Sequence, residues 1–149
     1  MAQPLVGDGL LFQERMVMLT RAFGWHRPGE TPCGRSVPIA EAHALLELSR
    51  SPQLTQQELA ERLNLQKSTV SRLVSNLRRR GWIRRRRCEH DRRAYELSLS
   101  EAGASAAADL AEARSEKMSR VLAKVPDTQK EAVLAAIDTL IEAIHESDL

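Results

Sequence analysis

LTQQELAERLNLQKSTVSRLVSNLRRRGWIRRRRCEHDRRAYELSLSEAG, residues 54–103, changes its hydrophobic period along its length, and the changes set the fold. Thr55 and Glu58 form a T-x-x-E capping box ahead of Leu59, Ala60 and Leu63, which predicts a short helix. Asn64 suits the left-handed conformation that ends it. Val70, Leu73, Val74 and Leu77 then recur at a 3/4 spacing, so a second helix runs from about Gln66 to Arg80 and stops at Gly81. From Trp82 the period shortens. Tyr95, Leu97 and Leu99 alternate with Glu96, Ser98 and Ser100, and Trp82-Ile83 starts a partner strand. The polar turn Cys88-Glu89-His90-Asp91 lies between them, giving a β-hairpin.

Upstream, Ile39, Ala42, Leu45, Leu46 and Leu48 mark a further helix, opened by Pro38 and closed at Ser51-Pro52. Three short helices followed by a hairpin make a winged helix-turn-helix. Phe12, Met16, Leu19 and Phe23 predict an earlier helix ending near Gly24, and the Pro- and Gly-rich residues 27–38 a loop. Downstream, Ser100 caps a long Ala-rich helix, roughly Glu101 to Lys124. Pro126-Asp127 breaks it, and Asp127 caps a last helix with Val133, Leu134, Ile137, Leu140, Ile141 and Ile144 on one face. The expected fold is mainly α with a small β-hairpin wing. Residues 1–9 form a flexible N-terminus, 10–37 and 101–149 a helical dimerisation region, and 38–100 the winged lobe.

Composition narrows the function. The 149 residues are 42% hydrophobic and 28% charged, a globular balance, but only 3% aromatic. No run of 18 apolar residues and no basic-then-apolar leader is present, and Cys33 and Cys88 cannot build a disulfide framework. A cytoplasmic setting follows as the expectation. The net charge of +2 hides an asymmetry: residues 62–93 hold twelve basic and two acidic side chains, leaving ten basic and 18 acidic elsewhere. A segment near +10 in a body near −8 points to a polyanion as partner. No Gly-rich phosphate loop, G-x-S-x-G, H-E-x-x-H or C-x-x-C occurs, so neither an enzyme nor a cofactor is expected. RNA binding lacks stacking aromatics.

The second helix of the pair presents Gln66, Lys67, Ser68, Thr69, Ser71, Arg72 and Ser75, side chains able to reach base edges from a major groove. The hairpin supplies Arg84, Arg85, Arg86, Arg87, Arg92 and Arg93, suited to the negative potential of a minor groove. Asp91 is expected to pair with a neighbouring arginine and fix its fork. Strand alternation sends about half of the wing arginines to each face.

Residues 54–103 resemble the core of the MarR family of bacterial transcription regulators. The likeness rests on the helix-turn-helix, the RGWIRR stretch, the D-R-R of Asp91, Arg92 and Arg93, and the S-E-x-G helix start at Ser100, Glu101 and Gly103. The resemblance implies a homodimer joined through the first and last two helices and bound to a pseudo-palindromic operator of double-stranded DNA. It implies that Arg93 is the minor-groove arginine and Asp91 its orienting partner. It also implies a ligand-responsive repressor, with Phe12, Met16, Trp25 and His43 as candidate liners of an effector pocket. The apolar stripe on the last helix independently calls for a partner.

Blander alternatives stand beside this one. The Arg run is also compatible with a solvated surface, and the winged helix with a protein-interaction module. Cys33 and Cys88 are inert thiols unless the chain is a redox-sensing variant. His26, Cys33, Glu41 and His43 suggest a metal-sensing variant, but the long helix after Ser100 contributes no histidine, so no metal site is assigned. His43 is expected to be partly buried, and Trp82 to anchor the hairpin.

Overall fold

The structure, a computed structural model, describes residues 6–148. Its elements run α1 (Val6–Phe23), α2 (Ile39–Arg50), β1 (Leu54–Thr55), α3 (Gln56–Leu63), α4 (Lys67–Arg79), β2 (Ile83–Arg87), β3 (Tyr95–Leu99), α5 (Glu101–Leu122) and α6 (Asp127–Ser147). Two compact units result, residues 1–113 and 114–149.

The first unit is built around a leucine core. Leu45 and Leu48 of α2, Leu59 of α3, Val70, Val74 and Leu77 of α4, and Leu97 of β3 are fully buried. Each such aliphatic side chain contributes about 2 kcal/mol of gross transfer energy. The expected capping box is present: Thr55 Oγ1 accepts from the Glu58 N–H at 3.1 Å, and Glu58 Oε2 accepts from the Thr55 N–H at 2.7 Å. Asn64 ends α3 at φ 50°, ψ 47°. Gly81 ends α4 at φ +74°, letting the Trp82 N–H reach back to the Leu77 carbonyl at 3.1 Å.

Several boundaries differ from expectation. Residues 6–9, expected to be flexible, form the first turn of α1, and residues 1–5 lie outside the described residues. The hairpin becomes a three-stranded sheet of order β1-β3-β2, because Leu54 and Thr55 pair with Leu97 and Glu96. Two residues are too few to show alternation. Arg92 and Arg93 sit in the tip loop rather than on a strand beside a tight turn, since β2 stops at Arg87 and β3 starts at Tyr95. Asp127 is the first residue of α6, not its cap, and the cap position is Pro126. The lobe's core also runs past Ser100: Ala107 and Leu110 of α5 belong to it.

The start of α5 is clamped to the base of the hairpin. Ser100 Oγ accepts from the Gly103 N–H at 3.0 Å, as a cap should, and donates to the Gly81 carbonyl at 2.6 Å. The Ser100 N–H donates to the Trp82 carbonyl at 2.9 Å. Trp82 is half-buried against the core, with the Arg80 guanidinium 5.0 Å above its ring. The loop between α1 and α2 is tied to α5 by Arg35, whose fork donates to both oxygens of Asp109 at 2.6 and 3.0 Å.

In the second unit the apolar stripe of α6 lies open except at Leu140, which is half-buried. Val133, Leu134, Ile137, Ile141 and Ile144 are exposed, Ile137 by 47%, and no residue of α6 is buried. Leu10, Leu11, Phe12, Val17, Met18 and Leu19 of α1 are likewise exposed, Met18 by 60%. No helix of the described residues is long and apolar enough to cross a membrane.

Candidate nucleic-acid interface

Helix α4 sorts its residues by chemistry. Val70, Leu73, Val74 and Leu77 are buried, while Gln66, at the cap position, and Lys67, Ser68, Thr69, Ser71, Arg72 and Ser75 are all exposed. The N-terminal end carries no acidic residue, so its free N–H groups and positive dipole face solvent unopposed. The far end is anchored instead. The buried Glu41 of α2, 4% exposed, accepts from Asn76 Nδ2 at 3.1 Å and lies 3.2 Å from Arg80 Nε. Arg79 adds a bond to Asn76 Oδ1. This network missed at the sequence level carries a signal in retrospect, a glutamate on the apolar side of a short helix.

The wing resolves the arginine alternation. Cross-strand partners share a face, and the register pairs Ile83 with Leu99, Arg85 with Leu97 and Arg87 with Tyr95. Arg85 and Arg87 therefore emerge on the same face as the buried Ile83 and Leu97. Arg85 lies over the Tyr95 ring, 3.5 Å from its centroid, and Arg87 is 5.8 Å from it. Arg84 and Arg86 take the opposite face, where Arg86 pairs with Glu96 at 3.1 Å. Tyr95 was expected only as a strand residue. Its role as a seat for Arg85 follows from the register, which the sequence does not number.

Asp91 acts differently from expectation. Its Oδ1 accepts from the Arg93 backbone N–H at 2.9 Å, and no guanidinium fork pairs with it among the described residues. It shapes the tip loop rather than an arginine fork, and Arg92 and Arg93 project exposed from that loop. Between the tip, the start of α3 and the start of α4 lies a groove of about 750 Å³, lined among others by Lys67, Arg85, Asp91, Arg93 and Tyr95. The geometry thus brings the head of α4 and the wing cations to one surface.

The other candidates are not brought together. Phe12, Trp25 and His43 are exposed in the single chain and Met16 is half-buried, with Trp25 stacked on Phe23 at 4.7 Å. The exposure of His43 corrects its expected partial burial. Glu41 is spent on Asn76 and Arg80, and no cluster of three or more His, Cys, Asp or Glu able to hold a metal occurs among the described residues. Cys33 Sγ lies 2.9 Å from Thr31 Oγ1. Burial, then the negative charges of Glu96 and Asp91, push the Cys88 thiol up, away from the thiolate that redox chemistry uses.

A MarR family model matches residues 36–94 of the chain. Over that stretch the chain is similar to the MarR family. The matched stretch holds α2, the sheet's first and second strands, both helices of the helix-turn-helix and the wing loop. Solved structures share the fold over nearly the whole chain. FabT of Streptococcus pneumoniae in complex with DNA is 18% identical, with 95% of this chain and 96% of that one covered and a TM-score of 0.69. The PcaV transcriptional regulator of Streptomyces coelicolor is 20% identical over 95% and 99%, with a TM-score of 0.71, and 21% identical over 97% and 99% in complex with its natural ligand, with a TM-score of 0.67. MepR of Staphylococcus aureus in complex with DNA is 22% identical over 72% and 80%, with a TM-score of 0.66. No curated protein sequence matches the chain.

Proposed function

We propose that the chain is a cytoplasmic, non-enzymatic transcriptional regulator that binds double-stranded DNA as a homodimer. The observation that carries this is the shared surface of α4 and the wing. Lys67 at the head of α4 and Arg85 and Arg93 of the wing line one open groove, and the other polar side chains of α4's first turns are exposed beside it. Base edges are read by Gln66, Lys67, Ser68, Thr69, Ser71, Arg72 and Ser75. Arg92 and Arg93 enter the minor groove, and Arg84, Arg85, Arg86 and Arg87 supply positive potential along the flank. FabT and MepR, which share the fold, are found in complex with DNA, which supports DNA binding.

A second copy covers the exposed apolar faces of α1 and α6. The five exposed aliphatic side chains of α6 alone give roughly 8–15 kcal/mol of gross transfer energy before the costs of association. A two-fold pair sets the two α4 helices about 34 Å apart on a pseudo-palindromic operator. Repression follows from occupying that operator. An effector held near Phe12, Met16, Trp25 and His43 shifts the population of helix spacings and lowers affinity; that a protein of this fold binds a small ligand is supported by PcaV in complex with its natural ligand.

The test is selection of duplexes from a random library by the purified chain, repeated with Lys67→Ala and Ser68→Ala. A changed base preference in the variants is expected. Equal loss on every duplex reassigns both residues to the phosphate backbone, and no retained duplex defeats the proposal.

A further inference from the structure

The C-terminal half of α4 and the root of the wing form a second groove, of about 560 Å³, lined by Ser75, Arg78, Arg79, Ile83, Arg84 and Arg85. Four of these six residues carry guanidinium groups and none is acidic. Among the described residues Arg78 and Arg84 have no carboxylate partner. The side-chain bond Arg79 makes is to the neutral amide oxygen of Asn76, and Arg85 rests on the Tyr95 ring. Cations so gathered, with no internal acid to offset them, repel one another until an anion enters.

The anion's class follows from lengths. Helix α4 has 13 residues and is about 20 Å long, whereas the major groove of B-DNA is about 12 Å wide. With the first turns over base edges, the helix overruns the groove. Ser75 lies on the same exposed face as Ser68 and Arg72, at helical spacings of seven and three residues. It stands about 10 Å beyond Ser68, at the rim where phosphates run. Its hydroxyl proton is committed to the Ser71 carbonyl at 3.0 Å, so the donors available there are guanidinium groups.

We infer that this groove seats a backbone phosphodiester of the bound duplex at the rim of the major groove, through Arg78 and Arg84 with Arg79 and Arg85 beside them. This rests on the DNA-binding function proposed above and adds Arg78 and Arg79 to its residues. The seat fixes how far along its axis α4 enters the duplex and reads no base.

The experiment uses the full chain and a duplex it selects from a random library, with affinity followed by fluorescence anisotropy across a salt series. In Arg78→Gln/Arg84→Gln the slope of log affinity against log salt becomes shallower by about one unit, since the one phosphate they neutralise contributes roughly 0.9. All duplexes weaken by the same factor, and Arg78→Lys/Arg84→Lys restores the slope. An unchanged slope in the folded Gln variant, or an altered base preference, overturns the seat while leaving DNA binding intact. Inorganic phosphate raising the melting temperature of the native chain but not of the Gln variant, with no change in the DNA slope, assigns the groove to a free anion and also overturns it. A native chain that retains no duplex defeats DNA binding itself, and the seat with it.

Discussion

Gly103 joins the wing to α5 because nothing larger fits between them. A Cβ built there would lie 1.8 Å from the Trp82 carbonyl oxygen and 2.7 Å from its carbon. Helix propensity alone says that Gly103→Ala should stabilise by up to about 1 kcal/mol. The clash is with backbone and cannot be relieved by a side-chain rotation, so the opposite sign wins. Gly103→Ala is expected to lower stability by about 2–3 kcal/mol in urea unfolding. A gain in stability would mean that α5 starts elsewhere. This glycine was visible in the sequence only as part of a motif. Its reason comes from a carbonyl twenty-one positions earlier, brought close by the Ser100 clamp on Gly81 and Trp82. Asp91 shows the same limit. Its proximity to Arg92 and Arg93 was plain, but whether it would meet a guanidinium or a backbone N–H depends on the loop's dihedrals, and it meets the backbone of Arg93.

Among the elements, α3 was the most legible, because its start and stop are local chemistry: the Thr55–Glu58 box and the left-handed Asn64. The box makes α3 pH-dependent. The Thr55 backbone N–H, then its hydroxyl, holds the Glu58 carboxyl below its ordinary value of 4.5. A carboxyl lowered on folding stabilises above its unfolded value and loses that contribution as pH falls through the folded one. Stability of the native chain is therefore expected to fall more steeply below about pH 4.5 than that of Glu58→Gln, whose amide keeps the bond without titrating. Parallel slopes in denaturant titrations at several pH values would remove the box from the account. The wing was legible as a hairpin from the Tyr95, Leu97 and Leu99 alternation. Which arginines share a face was not, because β2 is four consecutive arginines after Ile83 and the side-chain pattern carries no phase. Pairing with β3 supplies the phase, and sends Arg85 to Tyr95 and Arg86 to Glu96.

Across the chain as a unit, the apolar stripes of α1 and α6 were readable from the 3/4 spacing, and the structure leaves Phe12 and Leu19 of the first and all but Leu140 of the second exposed in one copy, with Met16 and Phe23 half-buried. In the proposed homodimer their cover comes from a second copy, which no single-chain periodicity encodes. Ile137→Glu places a charge in the middle of the α6 stripe and is expected to yield monomers by light scattering, with helical content retained. Because one α4 then meets one half-site, duplex affinity should drop by more than tenfold. A dimeric Ile137→Glu protein would move the interface off α6. The claim on which the rest depends is that α4 and the wing together grip duplex DNA through its charge and its base edges. It is tested most directly by the affinity of the native chain for a self-selected duplex over a rising salt series. A linear fall of log affinity with log salt, with a slope near −0.9 for each phosphate engaged, is the predicted result. Retention of no duplex at low salt, or an affinity indifferent to salt, would contradict it.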